Sequence, residues 1–220
     1  MLDSFYRAFV AEQRYLLYLD GLKVTILVSV IAILIGVALG TILALMRLTA
    51  EQKGKSTLLS KIAYVYIDII RGTPTLTQLM IMYFVIFASS SNQVLVAILA
   101  FGINSGAYVA EIVRSGIMSV EAGQMEAGRS LGFNYVKTMR YIIIPQALKN
   151  ALPALGNEMI TLLKDTSLKD LTKTAMIVQS RTYQAFMPFI GIAIVYLVIV
   201  LILSKILSVV ERRLRTGDKR

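Results

Sequence analysis

Glu158 is a carboxylate inside an otherwise apolar stretch, Tyr141 to Leu163, which also holds Pro145, Pro153, Gly156 and Asn157. A carboxylate at membrane depth costs several kcal/mol unless it is paired or hydrated, so it is a candidate for function by default. It reads either as a binding group for a cationic centre or as half of a structural ion pair, with Lys164 or Arg71 as the other half. A second polar set, Asp68, Arg71, Gly72, Thr73 and Pro74, interrupts the apolar run from Ile62 to Ala88. Proline removes a backbone donor and glycine admits unusual dihedrals, so a helix breaks there. Unwound backbone at membrane depth survives only beside protein or a water-filled cavity, where freed amides point at carboxylates and freed carbonyls at cations. The alternative is a turn at the membrane surface with Arg71 snorkelling. A third set begins at Asn104 and Ser105, which belong on the inner side of a helix bundle. Glu111 and Arg114, three residues apart, can pair on one helix face.

Other chemistries are closed by composition. The chain has no cysteine and no histidine, which removes disulfides, thiolate nucleophiles, imidazole bases and the usual zinc sites. A membrane-embedded hydrolase would have to use a pair such as Ser167 with Lys164. Gly54-Lys55-Ser56 echoes the end of a phosphate loop, but Thr49 stands where its first glycine is needed and no strand precedes it. It reads as a basic loop, and the chain is expected to be no ATPase and to hold no cofactor or metal.

The elements that position these residues are membrane helices. Of 220 residues 56% are hydrophobic, above the roughly 45–50% of soluble domains, and the excess lies in blocks. Val24 to Met46 and Ala185 to Ser204 carry no charge, and each is close to the length that crosses about 30 Å of hydrocarbon. Ile62 to Ala88, Val94 to Ala110 and Tyr141 to Leu163 add three interrupted spans, for an expected all-α integral membrane fold of five. Within the first, Gly36 and Gly40 form a small-xxx-small face suited to close helix contact, with the partner left open.

The net charge of +10 is spread over helix ends and is not interleaved with aromatics on one face, which argues against nucleic acid. Arg47, Lys53, Lys55 and Lys61 flank the first connection, and Arg212, Arg213, Arg215, Lys219 and Arg220 form the tail. By the positive-inside bias both are cytoplasmic, as is the third connection, Ser119 to Lys137. The N-terminus and the fourth connection, Asp165 to Gln184, then lie outside. Residues 1–20 lack the pattern of a signal peptide and read as a short interfacial helix or a frayed end. The expected organisation is that segment, a transmembrane unit over 21–211 and a basic tail over 212–220.

Between the third and fourth spans, Gln124 to Leu131 suits a helix, Gly132 suits its left-handed close, and a second helical stretch starts near Asn134. Together they predict a compact cytoplasmic knob. Its residues carry a resemblance. Glu126-Ala127-Gly128, then Gly132, then Ile142-x-Ile144-Pro145 resembles the E-A-A-x3-G-x9-I-x-L-P signature of ABC importer permeases. Arg71-Gly72-Thr73-Pro74 with Gln78-Leu79, Ala107 to Arg114, Leu155-Gly156-Asn157 and Leu163-Lys164-Asp165-Thr166-Ser167-Leu168 resemble the polar amino acid branch of that family. These matches cover most of residues 20–215.

The resemblance implies a five-span permease in the bacterial plasma membrane, paired with a second permease subunit, identical or related. It implies two cytoplasmic ATPases, on which ATP and Mg would sit, and an extracytoplasmic solute-binding protein. In the family the signature forms a coupling helix that docks on the ATPase. That role falls here to Glu121, Glu126, Ala127, Gly128, Arg129, Leu131 and Gly132. Carried over residue by residue, the mid-membrane substrate site falls to Arg71, Gly72, Thr73, Asn104, Ser105 and Glu158, with an anionic Glu158 suited to a basic amino acid. Two departures stand out. The signature's second alanine is Gly128, which should loosen the coupling helix by up to about 1 kcal/mol. Relatives also carry extra residues after Leu168, where this chain has only Lys169-Asp170 before Leu171. An ion-coupled secondary transporter is the rival reading, but such folds normally show an internal repeat and none is evident.

Overall fold

The computed structural model describes residues 2–53, 56–166 and 171–216. Ser167, the shortened connection after Leu168, Gly54-Lys55 and the end of the basic tail lie outside the described residues. Among those described, every regular element is helical.

After short N-terminal turns, α1 runs over Tyr15–Lys53, followed by α2 (Leu58–Gly72) and α3 (Thr75–Ile81). α4 spans Gln93–Met118, α5 Ala122–Ser130 and α6 Tyr135–Thr138, and α7 comes next over Ile144–Thr166. α8 (Leu171–Thr182) and α9 (Phe186–Thr216) complete the chain. Among the described residues, three helices are long and apolar enough to cross a membrane, over Tyr15–Leu48, Gln93–Met118 and Phe186–Leu214. α2 and the segment Thr75–Ile86 count as a fourth span if a bend of 105° lies within one crossing. α7 is about 34 Å long at 1.5 Å per residue, yet carries Lys149, Glu158, Lys164 and Asp165.

Local sequence explains the boundaries. Thr57 and Ser60 form a reciprocal cap at the start of α2, each side chain accepting from the other's backbone N–H at 3.2 and 3.0 Å. α2 stops because Thr73, which precedes Pro74, is extended (φ −120°, ψ 145°), the conformation a following proline enforces. Asn92 starts α4 by accepting from the Leu95 N–H at 3.0 Å. Wide π turns at Met82–Ile86 and Met139–Ile143 extend α3 and lead into α7.

The small-xxx-small face of α1 finds its partner in α4. Cβ atoms placed on Gly36 and Gly40 would lie 2.6 Å from Ser105 Oγ and 2.7 Å from the Gly106 carbonyl. From the other side, Cβ atoms on Gly102 and Gly106 would lie 2.8 Å from Ile35 and Leu39. Two glycine pairs of the same spacing therefore interlock, each receiving the other helix's side chains. The main core closes around this crossing with Val28, Ala32, Leu79, Phe101 and Leu162.

Two segments differ from the sequence expectation. The first residues form a short helical stretch, α over Leu2–Phe5 and π over Tyr6–Val10, that ends before Glu12 and Gln13 at positive φ, so Leu16 and Leu17 belong instead to α1, which begins already at Tyr15. Arg14 fixes the reversal by donating to the Arg7 carbonyl and to Glu12 at 3.1 Å, while Phe9 lies against Gly191 of α9. The fourth connection contains a complete helix, α8, because Leu171, Ala175 and Val178 recur at helical spacing and bury fully against Ala8, Tyr18 and Ile192.

Candidate functional site

The break between α2 and α3 is held by one side chain. Gln78, one turn past Pro74, donates from Nε2 to the Ile70 carbonyl at 2.7 Å and to Thr73 through Oγ1 at 2.7 Å and the carbonyl at 3.1 Å. The two carbonyls are groups the interrupted helix leaves without backbone partners. Its Oε1 accepts from Asn104 Nδ2 at 2.8 Å, so the chain Thr73–Gln78–Asn104 ties the break to α4. Tyr66 adds a second tie by donating to the Ile103 carbonyl at 2.6 Å. In the sequence Gln78 stood out only as part of the family resemblance, with no role attached; its role comes from the bend, which turns it back over the end of α2.

Asn104 and Ser105 are buried, as expected for bundle-facing residues. The buried Ser105 hydroxyl lies beside the Glu158 carboxyl group. Asp165, two turns further along α7, adds a second carboxyl group near Glu158. Beyond it, Ser29 and Thr166 share a buried hydrogen bond of 2.8 Å between α1 and the end of α7. Asn104 and Ser105 are neighbours on α4, so the amide chain and the carboxylate meet at this helix. Gly72 is exposed, and a Cβ placed on it would meet nothing within 4 Å.

Arg71 goes elsewhere. It pairs with Glu111 at 3.9 Å and lies with its guanidinium 5.6 Å from the Tyr108 ring, so the suggested ion pair with Glu158 is replaced by one with Glu111. Glu111 also receives Arg47 at 2.7 Å and Arg114 at 2.6 Å. The pairing of Glu111 with Arg114 follows from their spacing; the arrival of Arg47 from α1, stacked 4.2 Å over Tyr64, does not. One carboxylate thus joins the ends of α1 and α2 to α4.

The knob between α4 and α7 is built from backbone. The Phe133 N–H bonds the Gly128 carbonyl at 3.0 Å and the Gly132 N–H bonds the Arg129 carbonyl at 2.9 Å, the paired closure of a Schellman motif. It requires a left-handed residue, and Gly132 supplies φ +80°. Asn134 then starts α6 by accepting from the Lys137 N–H at 2.9 Å. Glu121, Glu126, Ala127, Arg129, Leu131 and Gly132 are all exposed, Leu131 at 73%. Gly128 is the exception and faces inward. A Cβ there would meet Thr138 Cγ2 at 2.5 Å and Ile142 Cδ1 at 3.2 Å, so the glycine is where α5 closes on α6 and the π turn after it. The expected loosening from its low helix propensity is set against this packing. Val136, Tyr141 and Met118 are exposed too, giving the knob an apolar surface of its own.

A family model described as "Binding-protein-dependent transport system inner membrane component" matches residues 36–216. The chain is 37% identical over 210 residues to a putative glutamine transport system permease protein GlnP of Rickettsia bellii, covering 91% of this chain and 94% of that protein. It is 37% identical over 209 residues to the arginine transport system permease protein ArtQ of Bacillus subtilis, covering 91% and 93%. Among solved structures, an amino acid ABC transporter crystallised with histidines superposes with a TM-score of 0.83 at 43% identity, over 93% of this chain and 98% of that one.

Proposed function

The chain belongs to the binding-protein-dependent transport system inner membrane component family, and from that premise we propose that it carries polar, preferentially basic, amino acids across the membrane. It is the multi-pass permease subunit of an ABC importer, a family whose ATPase is a separate subunit. The substrate reading draws on relatives named for glutamine and arginine transport and on the Glu158 carboxyl group, with Asp165 two turns behind it on the same helix. Arginine and glutamine share their α-amino and α-carboxyl ends and differ in the side chain. In this reading Thr73, Asn104 and Ser105, with the break at Gly72, receive the common polar ends, Arg71 stands at the margin, and Glu158 favours a cationic side chain.

The single observation that carries the transport mechanism is the knob: a short helix closed by a glycine of φ +80° and braced at Gly128, with its polar and apolar side chains turned outward. A rigid projection transmits displacement, which a loose linker would absorb. We assign α5 as the coupling helix, docked on a partner ATPase that holds ATP and Mg. ATP binding would draw two such knobs together and bias the paired permease subunits between outward- and inward-facing states. α7 is then the fifth span, its polar residues turned to the pathway. The N-terminus and α8 lie outside, where a solute-binding protein delivers substrate, and the knob and basic tail lie in the cytoplasm of a bacterial cell.

Reconstituted vesicles containing the permease, its ATPase and its binding protein provide the test. Glu126→Ala is expected to leave substrate binding intact while ATP is hydrolysed without matching uptake. Uptake that continues with an ATPase unable to hydrolyse ATP would refute the importer reading and return the ion-coupled alternative.

A further inference from the structure

We infer that the charged end of α9 holds an anionic phospholipid, gripped by Lys205 and Arg213. α9 is the least covered of the three apolar spans: 11% of its most apolar window is buried, against 33% for Tyr15–Leu48 and 67% for Gln93–Met118. Its outer surface therefore faces something beyond this chain. Residues 186–204 carry no charge and rise roughly 28 Å as a helix, close to the ~30 Å of bilayer hydrocarbon. Lys205 falls where the hydrocarbon ends. Arg213 lies about 12 Å further along the helix, in the headgroup layer, and the flexible Lys205 side chain snorkels outward from the hydrocarbon edge toward that layer.

Lys205, Val209 and Arg213 share one face, and with Ile202, Ile206 and Val210 they line a shallow groove of about 350 Å³. Exposed isoleucines and valines at its start suit acyl chains, and the two cations flank the layer where phosphates sit. Pairing of α9 with its own copy along this face is disfavoured, because a two-fold axis running beside the helix would set Lys205 against Lys205 and Arg213 against Arg213. Charge complementarity selects a lipid carrying net negative charge, such as phosphatidylglycerol, over a zwitterionic one.

The test is native mass spectrometry of the full chain in mild detergent, titrated separately with phosphatidylglycerol and phosphatidylcholine. The wild type is expected to retain phosphatidylglycerol preferentially. Lys205→Gln and Arg213→Gln should each weaken that binding about fivefold, and together roughly 25-fold, with phosphatidylcholine unchanged. Lys205→Arg with Arg213→Lys should restore it, and circular dichroism checks folding; if the double variant does not fold, the single variants carry the test. Equal retention of the two lipids by the wild type, or unchanged phosphatidylglycerol binding in the glutamine variants, overturns the inference. Displacement of the lipid by inorganic phosphate would identify a free-anion site instead. A shift in oligomeric state with lipid binding unaltered would make this face a subunit contact.

Discussion

The knob and the intramembrane polar cluster are both interruptions of apolar sequence, and they are held in opposite ways. In the knob, backbone hydrogen bonds at Gly128, Arg129 and Phe133 and one tight approach to Thr138 fix the shape, leaving the side chains free to face outward. At the α2–α3 break the backbone is open, and a single amide, Gln78, satisfies what the proline disrupts while linking it to Asn104. A surface that must transmit force gains from backbone rigidity. A site that must exchange a ligand gains from side-chain bonds worth only about 1 kcal/mol each, which can be traded for bonds to substrate.

The largest expected effect tests whether the cluster is a binding site at all. Glu158→Gln keeps the shape and removes the charge, so KM for arginine should rise about tenfold or more while KM for glutamine changes far less. Equal values before and after would place Glu158 outside the site. Next comes the amide bridge: Gln78→Glu keeps the acceptor for Asn104 but loses the donors to Ile70 and Thr73. It should cost roughly 1–3 kcal/mol of stability, read as a lower unfolding temperature, and should raise KM for every substrate alike. An unchanged unfolding temperature would mean that the break stands without Gln78.

Gly128→Ala probes the other side of the comparison. Steric overlap with Thr138 should outweigh the propensity gained from alanine, for a net loss of about 1–2 kcal/mol, and Thr138→Ala should recover most of it. If Gly128→Ala stabilises the protein, the close contact does not brace the knob. The smallest effect is Asn134→Ala, which removes the α6 cap and should cost about 1 kcal/mol in thermal unfolding with substrate affinity untouched.

Much of the knob was legible because its determinants are local. Gly132 closes a helix and Asn134 opens the next through contacts within five residues, and such rules operate on sequence alone. Gly128 was not legible: read by propensity it is a weakness, and only the position of Thr138 and Ile142 makes it a point of contact. Arg71 shows the same limit. Its spacing permits several carboxylate partners, and the packing of α2 against α4 selects Glu111. α8 was hidden for a related reason, since its polar average resembles a loop until Ala8, Tyr18 and Ile192 cover one face.

By itself the sequence determined the apolar blocks, the break at Gly72-Thr73-Pro74, the knob and the family signature, because hydropathy, proline, glycine and capping residues act over a few neighbours. Tertiary structure alone decided which glycines meet across α1 and α4, which arginines share Glu111, and that Gln78 joins the break to Asn104. Those choices depend on crossing angles between helices distant in the chain, set by close packing across the whole bundle.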